Sequence, residues 1–130
     1  MTTSVTAAGS VPVAAEIRRM VLPGRGVLLL RRMRRSVEVR CMELAGLNLE
    51  NLGTVLRYSQ LVFQWGVVGA EHLADAETLA SVPYATETVP GLPGTVASTA
   101  VFDAVTAEDV RSAVEWITNG GELPEAYRGN

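Results

Sequence analysis

The segment from Val21 to Glu38, VLPGRGVLLLRRMRRSVE, constrains the fold more than any other stretch of this chain. Pro23 presets φ for a turn, Gly24 and Gly26 tolerate positive φ, and the runs EIRRMVL and VLLLRRM on either side are rich in β-forming residues. The pattern predicts a β-hairpin over residues 16–33, with strands 16–22 and 27–33. The apolar run Val27 to Leu30 is then a buried strand and no membrane anchor, since a span needs ~20 consecutive apolar residues. Four arginines in five residues (Arg31, Arg32, Arg34, Arg35) follow it directly.

Helical periodicity takes over after the hairpin. Ser36 stands as a candidate N-cap before VEVRCMELAGLN, and Val37, Cys41 and Leu44 recur on one face, so a helix is expected over 37–46, stopped by Gly46 and Asn48. The next segment, LENLGTVLRYSQLVFQW, predicts a helix over 49–65. Leu52, Val55, Leu56, Val62 and Phe63 form its stripe, and Tyr58, Leu61 and Trp65 widen that stripe toward half the circumference. Tyr58, Leu61, Phe63 and Trp65 are therefore the expected partner-binding residues, because large aromatics supply contact area at low entropic cost.

Thr106 caps a last predicted helix over 107–118, with Glu108 and Asp109 at its positive end and Asn119-Gly120-Gly121 after it. Its expected buried face is Val110, Ala113, Val114 and Ile117. Between Ala74 and Ala104 lie Pro83, Pro90, Pro93, Gly91 and Gly94. This stretch reads as a long Pro/Gly-rich loop able to hold one or two short strands, with TVAST the permissive segment. Residues 1–14 read as a flexible arm. The expected fold class is α+β: an N-terminal β-hairpin followed by a small helical domain with that loop, residues 15–130 forming one domain.

At 130 residues the chain can bury roughly 65–70% of its unfolded surface. Hydrophobic residues make up 48% and mean hydropathy is +0.20, a surplus that predicts apolar surface shared with another chain. The first sixteen residues lack a basic n-region and an apolar h-region, so no secretory signal is expected. With one cysteine, no internal disulfide and no Cys-based metal site is expected. Lysine is absent, which removes any P-loop or Schiff-base lysine.

Charge is divided unevenly. Residues 1–42 hold eight arginines against Glu16 and Glu38, a net of +6, whereas residues 43–130 hold three arginines against twelve acids, a net of −9. The halves either neutralise one another within one fold or dock onto charged neighbours. Arg31, Arg32, Arg34 and Arg35 are expected to form a solvent-facing charged interface with acids of residues 43–130, from the same chain or a neighbour. A nucleic-acid reader would place aromatic or amide readers near them, and no aromatic precedes Tyr58. Nucleic acid is not the expected partner.

His72, beside Glu71 and near Asp75, reads as a solvated or capping histidine, and Cys41 as a small core residue. The serines lack a Gly-x-Ser-x-Gly setting, and PGRG and GLPG lack the following lysine of a phosphate loop. No catalytic residue, cofactor site or metal site is expected, nor a small-molecule substrate or a membrane.

The order of these pieces resembles the small tail assembly chaperones of tailed bacteriophages. EIRRMVLPGRGVLLLRRM stands where those sequences carry an LPSGR-type hairpin, WGVVGAEHLAD and VPY where they carry LVGWEG…PVPF, and a TAEDV helix and YRGN tail follow. The WEG-like position reads Ala70-Glu71-His72, the PF-like position reads Pro83-Tyr84, and the loop is longer than usual. The resemblance implies a non-enzymatic protein of the host cytoplasm, many copies of which bind tape-measure and tail-tube subunits during assembly. A homo-oligomer or other phage structural proteins are the partners it implies. The competing class is a structural virion protein, a head–tail connector or capsid-decorating subunit that stays in the particle. A small nucleic-acid-binding regulator is the third.

Overall fold

A computed structural model describes residues 16–48 and 50–129 of the chain. The expected arm over 1–14 lies outside the described residues.

The Pro-Gly-Arg-Gly turn closes a hairpin of β1 (Ile17–Leu22) and β2 (Gly26–Arg31), with Arg25 N–H donating to the Leu22 carbonyl at 2.8 Å. Gly24 and Gly26 both adopt positive φ, +73° and +101°. Gly26 is required twice over, because a Cβ there would collide with the backbone carbonyls of Glu71 and His72. The register pairs Met20 with Leu28 and Arg18 with Leu30, so Met20, Leu22, Leu28 and Leu30 all face inward and are fully buried.

A third strand, β3 (Val67–Glu71), joins the free edge of β2 antiparallel, with a register shift between Leu29 and Leu30. This strand was not expected. It begins immediately where α2 (Leu52–Gly66) stops, so no turn residues separate the two elements.

α2 and α4 (Ala107–Asn119) reach the sheet and pack on each other, and α1 (Arg35–Ala45) packs on α2. α1 starts at Arg34 rather than at the expected Ser36 cap, since Val37 and Glu38 both donate to the Arg34 carbonyl and Ser36 falls inside the first turn. Gly46 ends α1 in the left-handed conformation, as its sequence position predicts. Asn51 caps α2 by accepting from Thr54 N–H at 3.1 Å, which sets its start three residues after the expected 49. At the other end Gly66 lets α4 approach closely, for a Cβ there would run into the Ile117 side chain.

Residues 74–104 are not the structureless stretch their prolines and glycines suggest. They hold a two-stranded ladder of β4 (Thr86–Glu87) and β5 (Val96–Ala97), a short helix α3 (Thr99–Asp103), and a bridge from Ala74 to Ser81. Leu92, Val96, Ala97, Val101 and Ala104 are buried, while Pro83, Pro90 and Pro93 are exposed. Gln64, itself buried, donates to the Ala97 carbonyl at 2.7 Å and ties β5 to α2.

α4 (Ala107–Asn119) opens with a capping box: Asp109 N–H donates to Thr106 Oγ1 at 3.0 Å and Thr106 N–H donates to Asp109 Oδ2 at 2.9 Å. Its fully buried face is Asp109, Ala113, Trp116 and Ile117, whereas Val110 and Val114 are only half-buried. The expected face was thus off by part of a turn.

Arg25, at the hairpin tip, donates twice to the Asp109 carboxylate, at 2.8 and 3.3 Å, and the Tyr127 hydroxyl donates to it at 2.8 Å. Tyr127 lies in a single 3-10 turn (Glu125–Tyr127) that packs on β1. One carboxylate therefore joins hairpin, last helix and tail.

Candidate functional site

α2 divides at Leu61. From Leu61 to Gly66 every residue is buried, which is possible because sheet, α4 and the 74–104 segment surround that half. Phe63 meets Phe102 edge to face with ring centres 5.7 Å apart. Leu61, Phe63 and Trp65, expected to contact a partner, are therefore interior residues of the subunit. Tyr58 is half-buried and donates to Glu38 Oε2 at 2.9 Å; burial, then that bond, pushes its hydroxyl pKa up. The wide stripe is real, but its aromatic part is filled by the chain's own second half.

The first two arginines of the cluster bond to the chain's own carbonyls, and Arg31 alone is half-buried. Arg31 lies over the Trp65 ring at 3.5 Å and donates from Nε to the Trp65 carbonyl at 3.0 Å; burial lowers its pKa. Arg32 donates to the carbonyls of Ile117 and Thr118, both at 3.3 Å. It supplies a cation at the negative end of α4, whose own last turn has none. Arg34 is the exposed N-cap residue of α1, and Arg35 pairs with Glu38 at 3.5 Å. Arg32, Arg34 and Arg35 are exposed as expected, but within the chain the described residues show no ion pair between this cluster and the acids of residues 43–130. Four of the twelve acids are paired with other arginines: Glu71 with Arg19, Asp109 with Arg25, Glu43 with Arg40 and Glu122 with Arg128.

The remaining chemical groups are dispersed. His72 is exposed with φ +54° at the end of β3, and Asp75 accepts from the N–H groups of Thr78 and Glu77, which hold its carboxyl below the usual range. Cys41 is buried, and burial followed by the nearby Glu38 raises its thiol to about 11, so it is held as the unreactive thiol at neutral pH. Among the described residues there is no group of three or more His, Cys, Asp or Glu placed to hold a metal, and no helix long and apolar enough to cross a membrane.

What stands open is apolar. Leu47, Leu52 and Leu56 are exposed at 62%, 71% and 60%, and Leu44 is exposed beside them in sequence at the end of α1. Alongside runs a groove of about 1010 Å³ between the outward half of α2 and α4, with Leu56, Phe102, Val110 and Val114 among its apolar lining and Arg57 and Arg111 among its polar lining. The α4 side is a regular stripe (Ala107, Val110, Arg111, Val114, Glu115, Thr118) at three- and four-residue spacing. Sequence reading missed it because Val110 and Val114 were assigned to the core. The signal was present: α4 carries two apolar stripes, and only one meets the sheet.

Comparison with family models, curated proteins and solved structures finds no match to this chain.

Proposed function

We propose that this chain is a non-enzymatic assembly protein of the phage tail assembly chaperone kind, which binds tape-measure and tail-tube subunits in the host cytoplasm. The observation that carries the proposal is the exposed leucine row of Leu47, Leu52 and Leu56 at the junction of α1 and α2. Isolated exposed leucines need no explanation, but three on one helical hairpin beside an apolar groove make a surface suited to holding apolar protein segments. The resemblance of the hairpin and the segments after it supplies the assembly context. The engagement of Arg31 and Arg32 with carbonyls and indole rings weighs against a nucleic-acid role, since it removes two of the four clustered cations from a backbone-reading surface.

The test is co-expression of the chain with the long apolar tape-measure protein and the tail-tube subunit of the same virus. Capture of either, with the chain absent from purified mature particles, is expected. Presence in those particles at defined stoichiometry would replace the chaperone with a structural virion protein. Tight, salt-sensitive binding to duplex DNA with no capture of tail proteins would replace both with a regulator.

A further inference from the structure

We propose that the groove between α2 and α4 receives an amphipathic helix of a partner protein whose apolar stripe is flanked by carboxylates, a proposal that rests on the assembly reading for the partner's existence. Helix is the form of occupant that the walls favour. Both are helices whose backbone hydrogen bonds are internal, so they offer no strand edge for an extended peptide to pair with, only a side-chain floor. The α4 stripe from Ala107 to Thr118 is about 16 Å long, or about three helical turns. Leu56, Val110, Val114 and Phe102 furnish the apolar contact.

Charge then selects the kind of helix. Arg57 and Arg111 line the groove, and neither has a carboxylate within salt-bridge distance among the described residues. The acids that share the lining are differently placed. Glu38 already accepts from the Tyr58 hydroxyl at 2.9 Å and is paired with Arg35, while Glu115 accepts from the Asn119 amide at 3.2 Å. Glu38 is offset by Arg35, so Arg57 and Arg111 outnumber the one lining carboxylate left without a cation, Glu115; two such cations beside an apolar floor match a helix carrying carboxylates next to its leucines. They disfavour a second copy of this chain seated groove to groove. A twofold axis would bring the same positive excess of both copies together, with Glu38, already paired with Arg35, and Glu115 as the carboxylates of each lining.

The experiment uses the full chain and two labelled synthetic peptides of about three to four turns, each with the same leucine stripe, one flanked by glutamates and the other by lysines. Fluorescence anisotropy is expected to show saturable binding of the glutamate peptide, at least about tenfold tighter than the lysine peptide at low salt and converging at high salt. The double variant Arg57→Glu/Arg111→Glu, both exposed positions, should reverse that preference while keeping the wild-type circular dichroism and urea midpoint. Equal binding of both peptides, or no binding of either at millimolar concentration, overturns the proposal. So does self-association of the wild type that Leu56→Gln abolishes and neither peptide competes with. Failure of the peptides alongside intact capture of a tail protein would sink the groove and leave the assembly reading standing. Peptide binding with no capture of any tail protein would do the reverse.

Discussion

The two halves of α2 both carry large apolar side chains and meet opposite fates. Residues 61–66 are buried on all sides, Gln64 included, while residues 52–60 hold Leu52 and Leu56 mostly in water. α4 shows the same division around its circumference instead of along its length: Asp109, Ala113, Trp116 and Ile117 face the core, and Val110 and Val114 face the groove. A helical stripe therefore reports that a face will be covered, without saying by what. In the inner half the cover comes from residues distant in sequence, such as Val96, Ala97 and Phe102. In the outer half the described residues cover only part, Tyr58 through Glu38 among them, and leave Leu52 and Leu56 open.

The comparison breaks first if the inner residues prove dispensable. Phe63→Ala removes a fully buried ring that contacts Phe102 and is expected to cost about 3–5 kcal/mol, read as the urea midpoint at constant m value. For a domain of this size, with about 0.05–0.15 kcal/mol of stability per residue, that loss is a large share of the whole. A cost below about 1 kcal/mol would mean that Phe63 packs against a site that collapses freely, and the inner half would lose its distinction.

The inner face of α4 gives the next test, with pH as its lever. Burial pushes the Asp109 carboxyl up, but the bonds from Arg25, the Thr106 N–H and Tyr127, with the charge of Arg25, outweigh it and hold the carboxyl below the ordinary range. A depressed folded-state pKa contributes stability that is fully present above the unfolded value of about 3.9 and fades as pH falls from there through the folded value. Asp109→Asn should cost about 2–3 kcal/mol at neutral pH, because Arg25 keeps its enclosed position without an anion. Urea midpoints taken from neutral pH downward should fall more steeply in acid for the wild type than for the Asn variant. Parallel curves would show that Asp109 contributes no charge-dependent stability.

How much of this was legible follows from the range over which each signal acts. The hairpin and the Thr106 cap of α4 were readable because their determinants sit within four residues of each other: Gly24 and Gly26 in one turn, Thr106 and the acids after it in one helical turn. β3 was hidden because Gly66 passes from helix to strand with no turn chemistry, and the strand's partner Leu29 lies forty residues earlier. The core role of Leu92, Val96 and Val101 was masked by the prolines around them, so their apolar weight was credited to a partner. The arginine cluster misled for a different reason. Its acceptors are the carbonyls at the end of α4 and the Trp65 carbonyl and ring, none of which carries a formal charge in a sequence. The groove needed one further step, recognising that α4 has two apolar stripes and a single sheet to cover.

The smallest expected effect on stability sharpens the comparison most. Leu52→Gln and Leu56→Gln change two side chains exposed at 71% and 60%, and glutamine has nearly the helix propensity of leucine. Each substitution should move the stability by no more than about 0.5 kcal/mol, roughly six- to tenfold less than Phe63→Ala, about 10–16 Å along the same helix by its rise of about 1.5 Å per residue. Their effect should appear instead in association, as reduced capture of a tail protein at equal concentration of folded chain. The sum of the two outcomes is the informative quantity. Stability kept and capture lost assigns the outer half to a partner. Stability lost by about 2 kcal/mol or more would mean that Leu52 and Leu56 are covered in solution by this chain itself, and the division at Leu61 would disappear. Stability and capture both kept would leave the division intact and move the contact surface off α2, so that the groove-lining Val114 on α4 becomes the next residue to change.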